Sequence, residues 1–221
     1  MTGPAPAAMT TDAVWAAVDL ERSTVADLLD DLTTEEWSRP SLCEGWRVRD
    51  VAAHLALAHS GWRRTALEMC RARGSFDRMI RDTAVRHSAE PTARLTAEIR
   101  AMIGSRRHAP TLTPLEPLLD VLVHGQDIAV PLGRSRPMPI QAATAAATRV
   151  WTTGWPLSTA FHARARLRGL RLVATDTEWS VGDGVLVEGP VEALLLLLTG
   201  RTAWLGRLSG PGVGRLAPTG R

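Results

Sequence analysis

Apolar residues recur at helical spacing in several long segments of the chain. Residues 12–32 carry apolar side chains every three or four positions, which predicts a first helix. Residues 33–46, interrupted by Pro40 and Gly45, predict a connecting loop. The same helical spacing, ended by Gly or Pro, predicts five more helices at about 48–58, 63–73, 91–107, 115–130 and 140–151.

The pattern changes after Gly154 and Pro156. Residues 167–176 predict a strand, with apolar and polar side chains that alternate from Leu170, and residues 179–189 predict a hairpin that turns at 182–184. A short apolar helix follows, with Pro190 at its start. The expected fold is α+β: an up-down helical bundle over 1–155, then a small α/β domain over 156–221.

The charged residues have an unusual composition that does not change the expected class of protein. All 26 basic residues are Arg and Tyr is absent, which is typical of a GC-rich coding sequence and indicates an actinobacterial source. This composition accounts for the pI of 9.9, since the net charge is only +3 and acids are mixed among the Arg residues. No basic segment is interleaved with aromatic residues, so we expect no nucleic-acid partner.

Cysteine content and hydropathy predict a cytoplasmic protein. Cys43 and Cys70 are too few for a disulfide framework, which indicates a reducing compartment. Residues 1–10 lack the charged and apolar regions of a signal peptide. The longest apolar run, which begins at Val191, is too short to span a bilayer. We therefore expect no membrane partner.

Polar residues within the apolar segment 115–130 are the candidates for chemistry. Asp120 and His124 are four residues apart and so project from one face of a helix. With His54 from an earlier helix they would supply two imidazoles and one carboxylate, a set that suits a divalent ion such as zinc and leaves a coordination position open. Bundle interiors are a usual place for such sites.

Simpler interpretations remain open for the same residues. Asp120 and His124 could form a buried hydrogen-bonded pair without metal, and Asp50 with His54 is a rival ligand pair. Asp50, however, is expected in the first turn of its helix, where a carboxylate is favourable anyway. Asp127 either orients the second nitrogen of His124 or pairs with an Arg near the helix end.

Other candidate residues have simpler expected roles. Cys43 has no His beside it in the sequence, so packing is favoured over a role as nucleophile. His59 is expected at the surface or in packing. We expect the histidines in Arg-rich polar surroundings to be exposed: His87, His108 and His162.

Three segments resemble a known family. "PSLCEGWRVRDVAAHLALAH" and "LDVLVHGQDIAVPLGR" resemble the two metal motifs of the mycothiol-dependent maleylpyruvate isomerase family, whose bundle is DinB-like. "WSVGDGVLVEGPVEALLLLLTGR" resembles its sterol-carrier-protein-like C-terminal α/β domain. The resemblance covers nearly the whole chain in the right order.

The resemblance implies a ligand set and a reaction class. It places the metal ligands on His54, Asp120 and His124, although the family often has Glu where this chain has Asp120. It implies mycothiol as the thiol cofactor, a small electrophilic substrate, and a catalytic or substrate-holding role for Arg201. The expected function is thiol-dependent isomerisation or S-transfer by a monomer or homodimer. The alternatives are a non-catalytic binding module and a zinc-water hydrolase with Asp127 as base.

Overall fold

The computed structural model describes residues 9–59, 75–108, 112–154 and 162–216. Contacts group the chain into an N-terminal unit, Thr11–Arg136, and a C-terminal unit, Pro137–Arg221 together with Met1–Thr10. The domain division predicted between residues 155 and 156 stays a prediction. Within the described ranges, no helix is both long enough and apolar enough to cross a membrane.

Four helices of the N-terminal unit form a bundle. Helices α1 (Thr11–Asp30) and α3 (Val48–Ala56) each pack against both α5 (Thr92–Arg100) and α6 (Leu115–Ala129). A further helix, α4 (Phe76–His87), packs against α3. The core between them is made of apolar side chains such as Val25, Leu95 and Ile128, all fully or almost fully buried. A short helix, α2 (Thr34–Ser38), lies between α1 and α3 in the chain.

Helix α2 lies where the sequence predicted a loop, so that prediction is wrong. The backbone N–H of Glu36 donates to the Thr33 hydroxyl at 3.2 Å, and the Thr33 N–H donates to the Glu36 carboxylate at 2.9 Å. This reciprocal pair satisfies two N–H groups at the start of a helix. The Thr-x-x-Glu spacing is visible in the sequence and could have predicted it.

Helix α4 was also missed, and helix α5 ends at Arg100, earlier than the predicted residue 107. Gly104 follows with a positive φ of 81°, a conformation that ends helices and favours glycine. The helix predicted over 63–73 lies outside the described residues.

In the C-terminal unit, helices pack around a three-stranded sheet. Helix α9 (Val191–Leu198) packs against helix α7 (Ile140–Thr152) and contacts strands β1 (Leu170–Ala174) and β3 (Val185–Gly189). Strand β1 has the predicted alternation, with Leu170, Leu172 and Ala174 buried. A short helix, α8 (Ala163–Arg166), precedes the sheet. The fold is therefore α+β, as predicted.

The predicted hairpin between the second and third strands is wrong. Strand β2 (Ser180–Gly182) pairs antiparallel with β1, and β3 pairs parallel with β1 on its other side, so β1 lies between them. The chain crosses the start of β1 at residues 182–184. Gly182 and Gly184 have φ values of +76° and +128°, and a Cβ at either position would clash with a backbone carbonyl at the start of β1.

Candidate metal centre

Helices α3 and α6 carry the three residues that the sequence singled out as ligands. On α3, Val51 and Leu55 point into the core, and His54 lies on the side that faces α6. On α6, Leu118 and Leu122 are fully buried, and Asp120 and His124 lie one turn apart on an adjacent face. Packing of the two apolar faces therefore brings the polar side chains together.

The structure places one atom from each of the three side chains around a common point. Asp120 Oδ1 lies 3.2 Å from His54 Nε2 and 3.5 Å from His124 Nε2. The two imidazole rings meet edge to face, with centroids 4.7 Å apart. All the candidate ligand atoms lie within 4.8 Å of one another. Two nitrogens and one carboxylate oxygen so arranged are a donor set that suits a divalent ion.

His54 and Asp120 each favour the charged form of the other. Burial lowers the pKa of His54, but the charge and hydrogen bond of Asp120, together with the charge of Asp127, outweigh this effect, so the pKa lies above its ordinary value. Burial raises the pKa of Asp120, but the charge and hydrogen bond of His54, together with the charges of His124 and Arg22, outweigh this effect, so the pKa lies below its usual range. The side chains of His54 and Asp120 remain 21% and 33% exposed, which leaves a path for a ligand.

Asp127 contacts the far side of the His124 ring. Its Oδ2 lies 2.8 Å from His124 Nδ1, and its side chain is fully buried. Because a carboxylate accepts and does not donate, His124 Nδ1 carries the hydrogen and Nε2 keeps its lone pair on the Asp120 side. This contact matches the orienting arrangement that the sequence suggested for Asp127.

Cys43, for which the sequence favoured a packing role, and Trp46, which the sequence did not single out, both lie at this site. Cys43 Sγ donates to Asp127 Oδ2 at 3.1 Å and lies 3.7 Å from His124 Nδ1. Trp46 meets the His54 ring edge to face, with centroids 5.6 Å apart. Cys43 comes from a loop 81 positions before His124, so no local spacing could have indicated its contact with α6.

Arg22 also lies beside the candidate metal centre, and no feature of the sequence predicted this. Its guanidinium is almost fully buried and donates to the Met102 carbonyl at 2.7 Å and toward His59 Nε2 at 3.3 Å. Arg22 and Asp120 line one cavity of about 20 Å³, enough for a single water molecule. The positive charge of Arg22 contributes to the low pKa of Asp120, after the larger effects of burial and the two histidines.

The rival ligand Asp50 is used elsewhere. Its carboxylate accepts from the Arg47 side chain at 3.1 Å and from the Ser88 hydroxyl at 2.6 Å, in the first turn of α3 as expected. His87, expected to be exposed, is buried and lies 2.6 Å from a Glu98 oxygen, so that prediction is wrong. The expected exposure of the other two histidines in polar surroundings, His108 and His162, is confirmed.

Arg201 lies in the C-terminal unit, after the last turn of α9. Its Nη1 donates to the Thr199 carbonyl at 2.7 Å. The three candidate ligands all belong to the N-terminal unit. The catalytic role expected for Arg201 therefore stays a prediction.

Comparisons with known proteins agree with this architecture. Residues 18–129 match the family model of the mycothiol maleylpyruvate isomerase N-terminal domain. A crystal structure of the mycothiol-dependent maleylpyruvate isomerase is similar at 16% identity and a TM-score of 0.64, covering 92% of this chain and 93% of that one. A histidine-to-alanine mutant of that isomerase is similar at 14% identity and 0.61, with the same coverage.

At these identities the solved structures show a shared fold. A search of curated proteins finds no match to this chain. The family match is independent of these structural comparisons and spans just over half of the 221 residues. The chain therefore belongs to the mycothiol maleylpyruvate isomerase family, through its N-terminal domain.

Proposed function

We propose that this chain is a metal-dependent enzyme that uses a low-molecular-weight thiol, mycothiol, to isomerise or S-conjugate a small electrophile. The observation that carries the proposal is the convergence of His54, Asp120 and His124 within 4.8 Å. Family membership supports mycothiol as the thiol. The cytoplasmic location and the monomeric or homodimeric state expected from the sequence belong to the same proposal.

The proposed ligands are His54 Nε2, an oxygen of Asp120 and His124 Nε2. Zinc suits a set of two imidazoles and one carboxylate, and three protein ligands leave a position for a further molecule. When bound, such an ion would stabilise a thiolate at neutral pH, where a free thiol with a pKa of about 8.5 is mostly protonated. Asp120 is one methylene shorter than Glu, so the ion would lie close to helix α6.

The surrounding residues prepare these ligands. Asp127 holds the hydrogen on His124 Nδ1 and thereby keeps Nε2 free to bind. Trp46 packs against the His54 ring and restricts its rotation. Arg201, in this proposal, would stabilise a substrate carboxylate or the negative charge that develops when the thiolate adds to an electron-poor carbon.

The hydrolase alternative has little support among the described residues. It needs a general base near the open position, and Asp127 was its candidate. That carboxylate is fully buried and already accepts from His124 and Cys43. A non-catalytic metal-binding module of the same family is the alternative that experiment must separate.

Cobalt substitution tests the proposal directly. We expect the protein to bind one Co²⁺ and to develop a sulfur-to-cobalt charge-transfer band when mycothiol is added. Asp120→Ala should lose both signals, and His108→Ala, at an exposed histidine, should keep them. Binding of cobalt without a band on addition of mycothiol would favour the non-catalytic module, and a protein that binds no divalent ion would refute the proposal.

Turnover is the second test. Maleylpyruvate, the substrate named for the structurally similar isomerase, is the first electrophile to assay with mycothiol and the zinc-loaded protein. We expect isomerisation, or conjugation of a related electrophile, only when both zinc and mycothiol are present. Equal rates with and without mycothiol would contradict thiol dependence.

A further inference from the structure

A loop between α2 and α3 is hydrogen-bonded to helix α6 at Asp127, the residue that contacts His124. We call residues 40–47 the Cys43 loop. The backbone N–H of Leu42 donates to the Asp127 carbonyl at 3.1 Å, and Cys43 Sγ donates to the Asp127 carboxylate at 3.1 Å. Both the backbone and a side chain of this loop therefore contact Asp127.

The loop has its own hydrogen bonds, which define where Cys43 lies. The Ser41 hydroxyl accepts from the Cys43 N–H at 3.1 Å and donates to the Trp46 carbonyl at 3.0 Å. The Trp46 N–H donates to the Cys43 carbonyl at 3.0 Å, and Pro40 and Arg47 form a β-bridge that closes the loop. The position of the thiol is thus set by the loop.

Cys43 and His124 share one acceptor atom. Asp127 Oδ2 lies 2.8 Å from His124 Nδ1 and 3.1 Å from Cys43 Sγ. The carboxylate is fully buried, so a hydrogen bond removed from it inside the protein is not simply replaced by bulk water. A thiol that holds this oxygen in place also holds the acceptor that orients the His124 ring.

We propose that Cys43 is a positioning residue for the metal centre: its thiol holds Asp127, and Asp127 fixes the tautomer and orientation of His124. The inference rests on the proposed function for the metal, whereas the hydrogen-bond chain exists without it. Cys43 lies on the Nδ1 side of the ring, 3.7 Å from that nitrogen, and Asp120 faces Nε2. The sulfur is therefore placed to act through Asp127 and not as a ligand of an ion bound at Nε2.

The same loop contacts the second candidate histidine. Trp46, three residues after Cys43, packs edge to face against His54 with centroids 5.6 Å apart. One short segment thus restrains both imidazoles, one through a shared carboxylate and one through ring packing. The centre is assembled from helices α3 and α6 and from the loop that precedes α3.

Metal affinity provides the first test. Residues that orient metal ligands typically contribute about 10- to 100-fold to affinity. Because Cys43 acts one step further out, we expect Cys43→Ala to weaken zinc binding roughly 10-fold in calorimetry, near the lower end of that range. Cys43→Ser, which keeps a donor, should recover most of that loss. Thr96→Ala, which removes a buried hydroxyl on helix α5, should leave the affinity unchanged.

The tautomer of His124 provides a readout that needs no metal. In the metal-free protein, nitrogen NMR shifts should show His124 with its hydrogen on Nδ1. Cys43→Ala should move those shifts toward a mixture of the two tautomers, and Cys43→Ser should restore them. If the wild-type protein bound no metal, but Cys43→Ala still changed the His124 tautomer, the proposed function would fail and the positioning role would stand.

Two results would overturn the inference. One is a Cys43→Ala variant whose zinc affinity and His124 shifts both equal those of the wild type. The other is a sulfur-to-cobalt band in wild-type protein without added thiol that disappears in Cys43→Ala, because Cys43 would then be a ligand. Melting temperatures of the metal-free variants, measured in parallel, separate either result from a failure to fold.

Discussion

Helices α6 and α9 are both strongly apolar, yet their polar residues are placed in opposite ways. In α9, seven of the eight residues are buried and apolar, and Glu192 in the first turn is the one charged residue. In α6, Asp120 and His124 lie one turn apart in the middle of the helix and Asp127 lies near its end, among mostly apolar residues. Both helices therefore contribute apolar side chains to a core, but only α6 carries a cluster of acidic and histidine side chains along its length.

The partners of these polar residues explain the difference. Glu192 lies 2.6 Å from Arg207 and accepts from the Met138 N–H at 3.2 Å, so its charge is neutralised within the C-terminal unit. On α6, Asp120 and Asp127 contact histidines, and both Nε2 atoms of His54 and His124 face the same carboxylate. The acids on α6 thus have partners that can bind a metal ion, whereas the ion-pair partner of Glu192 is an arginine.

The largest expected effect comes from removing one ligand. His54→Ala leaves two of the three proposed donors, so we expect zinc affinity to fall by at least about 100-fold, since each direct ligand should matter more than the residues that orient it. Isothermal calorimetry at constant pH measures this. The matched control is His108→Ala, at an exposed histidine outside the ligand set. Retention of wild-type affinity by His54→Ala would contradict the proposed centre.

A substitution in the buried face of helix α9 should lower the stability of the protein and leave its zinc affinity unchanged. Leu195 is fully buried, and Leu195→Ala should reduce the free energy of unfolding by about 2–5 kcal/mol through lost burial and a cavity. Denaturant titration of the metal-free protein measures the change. Leu20→Ala, at a side chain that is 54% exposed, should change stability by less than about 0.5 kcal/mol. A fall in zinc affinity for Leu195→Ala would remove the contrast between the two helices.

A substitution at Asp50 tests whether a buried carboxylate can matter for stability without taking part in metal binding. Burial raises the pKa of Asp50, but hydrogen bonds from Arg47 and Ser88 outweigh it, so the pKa in the folded protein is depressed. Its stabilising contribution is therefore present above the unfolded-state pKa of about 3.9 and is lost as pH falls through the lower folded value. We expect Asp50→Asn to cost roughly 1–3 kcal/mol at pH 7, without changing zinc affinity.

Urea unfolding at several pH values checks this expectation. The stability difference between wild type and Asp50→Asn should shrink below about pH 4, as the wild-type carboxylate becomes protonated. Asp12→Asn, at a side chain that is 92% exposed, is the control and should change stability little at any pH. A difference that grows as pH falls would have the wrong sign for a depressed pKa.

The smallest effect is expected at Glu192. Its partner Arg207 is 42% exposed, so solvent weakens the ion pair, and Glu192→Gln should cost less than about 1 kcal/mol. The cost should decrease further in high salt, which screens such pairs. Thermal melts at low and high salt measure both values. A loss as large as that of Leu195→Ala would show that the charge on α9 is structurally as important as its apolar face.

Local patterns predicted the elements that a single stretch of sequence controls. The apolar spacing of α6 and the alternation of β1 appear as expected, because side chains at helix or strand period select one conformation and one buried face. Helix α9 also forms as expected, although it begins at Val191, one residue after the predicted Pro190. Helix α2 was missed although its Thr33–Glu36 capping pair was visible. The pairing of β2 and β3 was predicted wrongly, since a turn of glycines does not reveal that β1 lies between the strands.

The sequence by itself determined that Asp120 and His124 share a helix face and that His54 was available from an earlier helix. Tertiary structure alone decided that His54 meets them, that Ser88 donates to Asp50, and that Cys43 and Asp127 contact each other. The physical reason is that spacing within a helix sets directions over a few residues only. Contacts across 66 to 84 positions depend on how separate apolar faces pack, and a pattern within one segment does not encode that packing.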